Sequence, residues 1–187
     1  KHKFEIPEEV KNVSSVLSHA GFENFLVGGC VRDLVMSREP KDWDITTSAK
    51  PEEIIKLFPK TFYENEYGTV GVVNESVENE GLRTIEVTPY RLESGYSDFR
   101  RPDEVRWGKT IEEDLARRDF SMNAIAYNIE TGELLDPFQG HSDIEKKLIR
   151  TVGIPEERFG EDALRMLRAI RFASELNFAI EHETQEA

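Results

Sequence analysis

Leu26 to Ser48 reads LVGGCVRDLVMSREPKDWDITTS, and this stretch decides how the rest of the chain is understood. An apolar strand runs into two glycines, a helix opens directly after them at CVRDLVM, and a second strand follows at WDITTS. In a strand, residues two apart share a face, so Trp43 and Ile45 are expected on one side and Asp42 and Asp44 on the other. Those carboxylates would stand about 6–7 Å apart. Like charges so placed repel unless a cation lies between them. Three readings stay open: solvated strand charges, a calcium loop, or a magnesium pair. Glu53 does fall at the twelfth position counted from Asp42, but Thr47 stands where a calcium loop needs glycine, and Trp43 and Pro51 also fit that loop badly. Hard carboxylate oxygens on adjacent strand positions suit two magnesium ions for in-line phosphoryl transfer. Glu86 would supply a third carboxylate if its strand neighbours the first.

Gly28 and Gly29, at a strand end leading into a helix, leave backbone N–H groups free and let a phosphate approach closely, with Arg32 in the first turn. The pattern is neither a G-K-[ST] phosphate loop nor G-x-G-x-x-G, and a plain turn is the bland alternative. The expected elements around it are a helix over PEEVKNVSSVLSHAG stopped by Gly21, a helix begun by Pro51, and β-rich segments at TFYENEYGTVGVV and LRTIEVTPY. The polar segment ESGYSDFRRPDEVRWGK has no apolar period and reads as a mobile loop. TIEEDLARRDFSMNAIAYN reads as mostly helical, and PEERFGEDALRMLRAIRFASELNF as a long helical region opening on a turn.

The 187 residues suit one domain or one plus part of a second. With 38% hydrophobic and 33% charged residues, the composition is that of an ordinary folded domain. No apolar run reaches the roughly 20 residues of a membrane helix, and the first residues lack a signal-peptide core. One cysteine, Cys30, excludes an internal disulfide framework, so a cytoplasmic protein with no membrane partner is expected. A net charge of −13 argues against general duplex binding, and no DNA partner is expected. Arginines nonetheless gather locally (Arg100, Arg101 and Arg106; Arg117 and Arg118; Arg165, Arg168 and Arg171), which suits a small polyanion such as a nucleotide. The four histidines are dispersed, without zinc-ligand spacing, and no nucleophile signature appears.

Two further clusters have both bland and functional readings. In LARRDFSMNA, Arg117 and Arg118 beside Asp119 read either as a structural Arg-Asp pair or with Arg118 meeting a phosphate and Asp119 or Asn123 reading a sugar hydroxyl. In EDALRMLRAIRF, Leu164, Leu167, Ile170 and Phe172 are expected to form the apolar side of a helix, and Arg165, Arg168 and Arg171 a basic strip. Asp162, three residues before Arg165, is expected to be its neighbour on one face, either as a solvated ion pair or as a hydrogen-bonding edge. Such an edge would accept from the amino group of cytosine or adenine and reject uracil and guanine, which place an oxygen there.

Taken in order, LVGGCVRD…DWDITT, RRDFSMNA, DPFQGHSDI and EDALRMLRAIRF resemble the head and neck motifs of the bacterial class of tRNA nucleotidyltransferases. These are the CCA-adding enzymes and their poly(A) polymerase relatives, in the DNA polymerase beta superfamily. The resemblance runs from about Phe25 to Phe178. It implies an α+β (mixed α/β) nucleotidyltransferase head over residues 1–150, then the first helices of an all-α neck over 151–187, with the family's body and tail absent. It further implies that Asp42 and Asp44 bind Mg2+, that Gly29 and Arg32 contact the triphosphate, and that Arg118 sits in the motif tied to nucleotide and ribose recognition. Glu86 as an assisting carboxylate, and Gly28, Asp119 and Asn123 as nucleotide contacts, are the expectations from the residues themselves. Asp136 to Ile144 would be the hinge. Asp162 and Arg165 would be the amino-acid template for C or A, with Arg168 and Arg171 beside it. The implied partners are ATP, CTP and the tRNA 3′ end, and the implied reaction is addition of C, C and A. A-only addition, or a nucleotide-binding fragment without turnover, are the alternatives. The polar loop between Tyr90 and Lys109 leans towards CCA addition.

Overall fold

A computed structural model describes residues 3–64, 68–75, 77–94 and 104–187. Helix α1 (Glu8–His19) buries Val10, Val13 and Leu17 and ends before Gly21, whose φ of +87° only glycine adopts without strain. Strand β1 (Asn24–Val27) is buried throughout and hands over to α2 (Gly29–Val35) through Gly28. Strand β2 (Asp44–Thr47) and helix α3 (Pro51–Leu57) follow; Pro51 sits at the first helical position, and Glu53 accepts from the Lys50 N–H. The two β-rich segments become β3 (Thr61–Tyr63), β4 (Val70–Val73), the single turn α4 (Glu80–Arg83) and β5 (Thr84–Pro89). In β5 the expected alternation appears, with Ile85 and Val87 buried and Thr84 and Glu86 partly exposed.

Strands β6 (Arg91–Ser94) and β7 (Glu104–Trp107) pair as an antiparallel hairpin. The flanks of the expected loop are thus paired backbone, and residues 95–103 lie outside the described residues, Arg100 and Arg101 among them. Helix α5 (Ile111–Ala116), capped by Thr110, covers only the first third of the segment read as mostly helical. A 3-10 turn at Ser121–Asn123 and strand β8 (Ala126–Asn128) take up much of the remainder. Then come β9 (Glu133–Leu135), α6 (Gly140–Glu145), β10 (Leu148–Ile149), α7 (Pro155–Glu161), α8 (Leu164–Leu176), β11 (Ala179–Ile180) and α9 (His182–Glu186). The expected opening turn is instead the helix α7, stabilised by Pro155 at its first position.

The main sheet has the order β3-β4-β5-β2-β1-β8-β9, with β2 parallel to β5 and its other neighbours antiparallel. This is the mixed α/β architecture expected of a nucleotidyltransferase head. Its core runs from α1 through Leu26, Ile45 and Val87 to Phe159, Phe172 and Leu176, so the C-terminal helices share one apolar interior with the sheet. Strand β10 pairs with β11, and Phe120 bridges to Thr151, which stitches backbone across residue 150. Among the described residues no helix is long and apolar enough to cross a membrane.

Candidate functional site

The register of β2 against β5 places Asp44 directly beside Glu86. Trp43 and Ile45 are buried in the core as expected, but β2 begins only at Asp44 and is buried through Ile45, Thr46 and Thr47. Asp42 lies in an exposed bend before it rather than on the same strand. Burial pushes the Asp44 carboxyl above the usual carboxylate range; repulsion from Asp42 and Glu64 adds to this, and a hydrogen bond with Glu86 and the charge of Arg118 oppose it. Burial, then Asp44, then Glu64, push Glu86 up to about 8. Burial and mutual repulsion thus disfavour two full negative charges on this pair, a penalty that a bound cation would relieve. Glu64 at the end of β3 is a further acid facing this pair that sequence reading missed; only the β3-β4-β5 pairing brings it there. Among the described residues, no three His, Cys, Asp or Glu side chains gather into a ready-made metal cluster. The donors offered are hard carboxylate oxygens in the number magnesium takes from a protein when phosphates complete its shell, so the residues present fit that ion.

Gly28 has φ 73° and ψ −138°, a conformation close to glycine's own territory. A Cβ there would stand 3.2 Å from Arg118 Nη1 and 3.8 Å from Asp44 Oδ2, so the missing side chain also leaves room for that guanidinium. Arg32, on α2, donates through Nη1 to Asn123 Oδ1 at 3.0 Å and through Nε and Nη2 to Asp33. Asp119 accepts from Arg168 Nε at 2.7 Å, from the Phe120 N–H and from Asn123 Nδ2. Asp119 and Asn123 therefore spend these hydrogen bonds on holding Arg32 and Arg168 in place.

Helix α8 departs most from expectation. Its buried residues are Arg165, Ala169, Phe172 and Leu176, whereas Leu167 and Ile170 are 63% and 61% exposed and Leu164 is exposed too. The buried stripe follows the 165/169/172/176 spacing, so Arg165 lies on the inward face; of the expected apolar side only Phe172 turns inward, while Leu164, Leu167 and Ile170 face out. Arg165 does not pair with Asp162. Its Nη1 donates to Glu161 Oε2 at 2.6 Å and to the Arg158 carbonyl at 3.1 Å. The reason is a break between α7 and α8: Asp162 has extended backbone (φ −143°, ψ 104°), and an i,i+3 neighbour needs continuous helix. Asp162 Oδ1 accepts from the Leu164 N–H, as a cap would. Phe172, read from sequence as apolar filling, lies between three cations: the guanidinium carbons of Arg32, Arg168 and Arg171 are 5.3, 5.2 and 5.3 Å from its ring centre.

One cleft of about 550 Å³ is bounded by Gly28 and Gly29, Asp42 and Asp44, Arg118, Asp162 and the α8 arginines, while Glu86 and Glu64 lie outside its lining. A larger hollow of about 870 Å³ lies between the N-terminal segment, Pro40 and α4; it gathers neither paired carboxylates nor an arginine cluster, so the chemistry belongs to the smaller one. Cys30 packs in the core with its thiol pushed up to about 12 by burial, which leaves it inert.

Residues 24–150 match the family described as the poly(A) polymerase head domain. The CCA-adding enzyme of Lactobacillus delbrueckii subsp. bulgaricus is 46% identical over 98% of this chain and 45% of its own length. That of Geobacillus kaustophilus is 48% identical over 96% of this chain and 43% of its own. Among solved structures, the Bacillus stearothermophilus CCA-adding enzyme in complex with CTP superposes with a TM-score of 0.84 at 42% identity, over 96% of this chain and 42% of that one. A tRNA nucleotidyltransferase complexed with a primer tRNA and an incoming ATP analog gives 0.73 at 31% identity, over 93% of this chain and 48% of that one. The chain spans less than half the length of these curated relatives.

Proposed function

Because the chain belongs to the poly(A) polymerase head-domain family, we propose that it is the catalytic and nucleotide-selecting part of an enzyme that adds C, C and A from CTP and ATP to the 3′ end of tRNA. The observation that carries this reading is the single cleft that holds paired carboxylates on one wall and arginines with Asp162 on the other. Residues 1–150 act as the head and 151–187 as the start of a helical neck. Cys30, a single buried thiol, suits a reducing compartment, and we assign the enzyme to the cytoplasm.

Asp42 and Asp44 would hold magnesium, with Glu86 supporting Asp44. Magnesium bound there lowers the pKa of the primer's 3′-hydroxyl and neutralises charge on the leaving pyrophosphate. Gly28 and Gly29 allow the triphosphate to approach the backbone, and Arg32 and Arg118 donate to its oxygens. Asp162 accepts from the exocyclic amino group of cytosine or adenine and repels the O4 of uracil or O6 of guanine. Arg165, clamped by Glu161 and the Arg158 carbonyl, presents its guanidinium in a fixed orientation. Support comes from the relatives crystallised with CTP and with tRNA and an ATP analog. The test is binding of each nucleotide to this chain with Mg2+, together with extension of tRNA ending before its CCA. Binding of CTP and ATP but not UTP or GTP is expected, with C added before A wherever extension occurs. Equal binding of all four, or A added directly to the shortened tRNA, refutes the assignment.

A further inference from the structure

We propose that Asp114, which the sequence does not single out, is a positioning residue that aims Arg118 into the cleft and joins that aim to the base of the β6-β7 hairpin. The inference rests on the reading above for what Arg118 meets. Asp114 lies on α5, and its carboxylate is fully buried. Its Oδ2 accepts from Arg118 Nη2 at 3.0 Å. Its Oδ1 accepts from Arg117 Nε at 3.1 Å and from the backbone N–H of Arg91, the first residue of β6, at 3.2 Å. A buried charge persists only when paired and hydrogen-bonded, and here one carboxylate serves two guanidiniums.

The consequence for Arg118 is geometric. With Nη2 held, Nη1 faces Gly28 and Asp44, and Nε is buried without a hydrogen-bond partner among the described residues. The guanidinium is ordered before any anion arrives, so an arriving phosphate does not have to order it. The hairpin base shares the anchor, and Tyr90, just before β6, donates its N–H to the Thr47 carbonyl at the end of β2. Asp114 therefore links strand pairing behind the site to the arginine in front of it.

The test uses the 187-residue chain with CTP and Mg2+ as probe and compares Asp114→Asn, Arg118→Gln and the double variant. Asp114→Asn should weaken CTP about tenfold, in the range of a lost hydrogen bond to a charged group. The double variant should bind as Arg118→Gln does, within about twofold, because a residue acting through another adds nothing once its partner is gone. Independent, additive losses overturn the proposal. A second readout needs no nucleotide: the Arg118 guanidinium resonances should be resolved and slowly exchanging in the wild type and averaged in Asp114→Asn. Unchanged resonances overturn the proposal even if CTP binding falls. Should Asp114→Asn fail to fold, Asp114→Glu keeps the charge, displaces Arg118 and is held to the same two criteria. A wild-type chain that binds no CTP sinks the proposed function, while the Arg118 resonances still decide the role of Asp114.

Discussion

Gly28→Ala is expected to damage both stability and nucleotide binding, for two separable reasons. At φ 73° and ψ −138°, an alanine is strained by about 1–3 kcal/mol. For a chain of this size that corresponds to a fall in Tm of roughly 2–12 °C. The new methyl would also stand 3.2 Å from Arg118 Nη1, tighter than an ordinary contact. Arg118 has little room to retreat, because its Nη2 is held by Asp114 at 3.0 Å. A shift that forfeits about 1 kcal/mol of a hydrogen bond to a charged group weakens CTP roughly fivefold. Thermal unfolding and calorimetric titration with CTP and Mg2+ measure the two effects on the same samples. Gly29→Ala is the control for the strain: its φ is ordinary and its nearest neighbour, Arg32 Nη2, is at 3.6 Å, so its Tm should stay near wild type. If Gly28→Ala melts within 1 °C of wild type (about the resolution of the method) and binds CTP equally well, the argument from this turn is wrong.

Asp44→Asn should be at least as stable as wild type when divalent ions are chelated, because burial penalises the charge it removes; Mg2+ with CTP should then raise the Tm of wild type only. A clear loss of stability in chelator would contradict the raised Asp44 pKa. Asp162→Asn keeps an acceptor for the Leu164 N–H but presents a donor to the base, so rejection of UTP should relax about ten- to hundredfold at nearly unchanged Tm, as read by binding of each nucleotide. Arg165→Ala should instead cost about 1–3 kcal/mol of stability by removing a buried guanidinium and its hydrogen bonds to Glu161 and the Arg158 carbonyl, and equal melting of these two variants would contradict the inward placement of Arg165. The pH dependence follows from Asp114. Burial alone would raise its carboxyl, but Arg118 and Arg117 outweigh that and hold it below the usual range. A depressed folded pKa stabilises above the unfolded value of about 3.9 and is lost as pH falls through the folded value. Melting curves of wild type and Asp114→Asn should therefore converge as pH drops below about 4, and a constant gap would refute this.

The sequence by itself determined the alternation of helices and strands around Gly28 and Gly29 and the inward turn of Trp43 and Ile45. These are local rules of strand period, helix spacing and turn chemistry, and each acts within a few residues. It also carried the ordered motif set from which the head architecture was expected. Only the tertiary structure decided which side of α8 faces the core. Its arginine and leucine rows are both regularly spaced, so periodicity does not choose between them; the buried stripe is neither row but Arg165, Ala169, Phe172 and Leu176, with Arg168 and Arg171 left exposed. The choice fell to Glu161 and the Arg158 carbonyl, which pair Arg165 from across the break at Asp162. Glu64 beside Glu86, the three cations about Phe172, and the junction of Arg91, Arg117 and Arg118 at Asp114 were likewise invisible in the sequence. Each depends on residues brought together by strand order and helix packing, and side-chain chemistry alone does not specify who will be the neighbour.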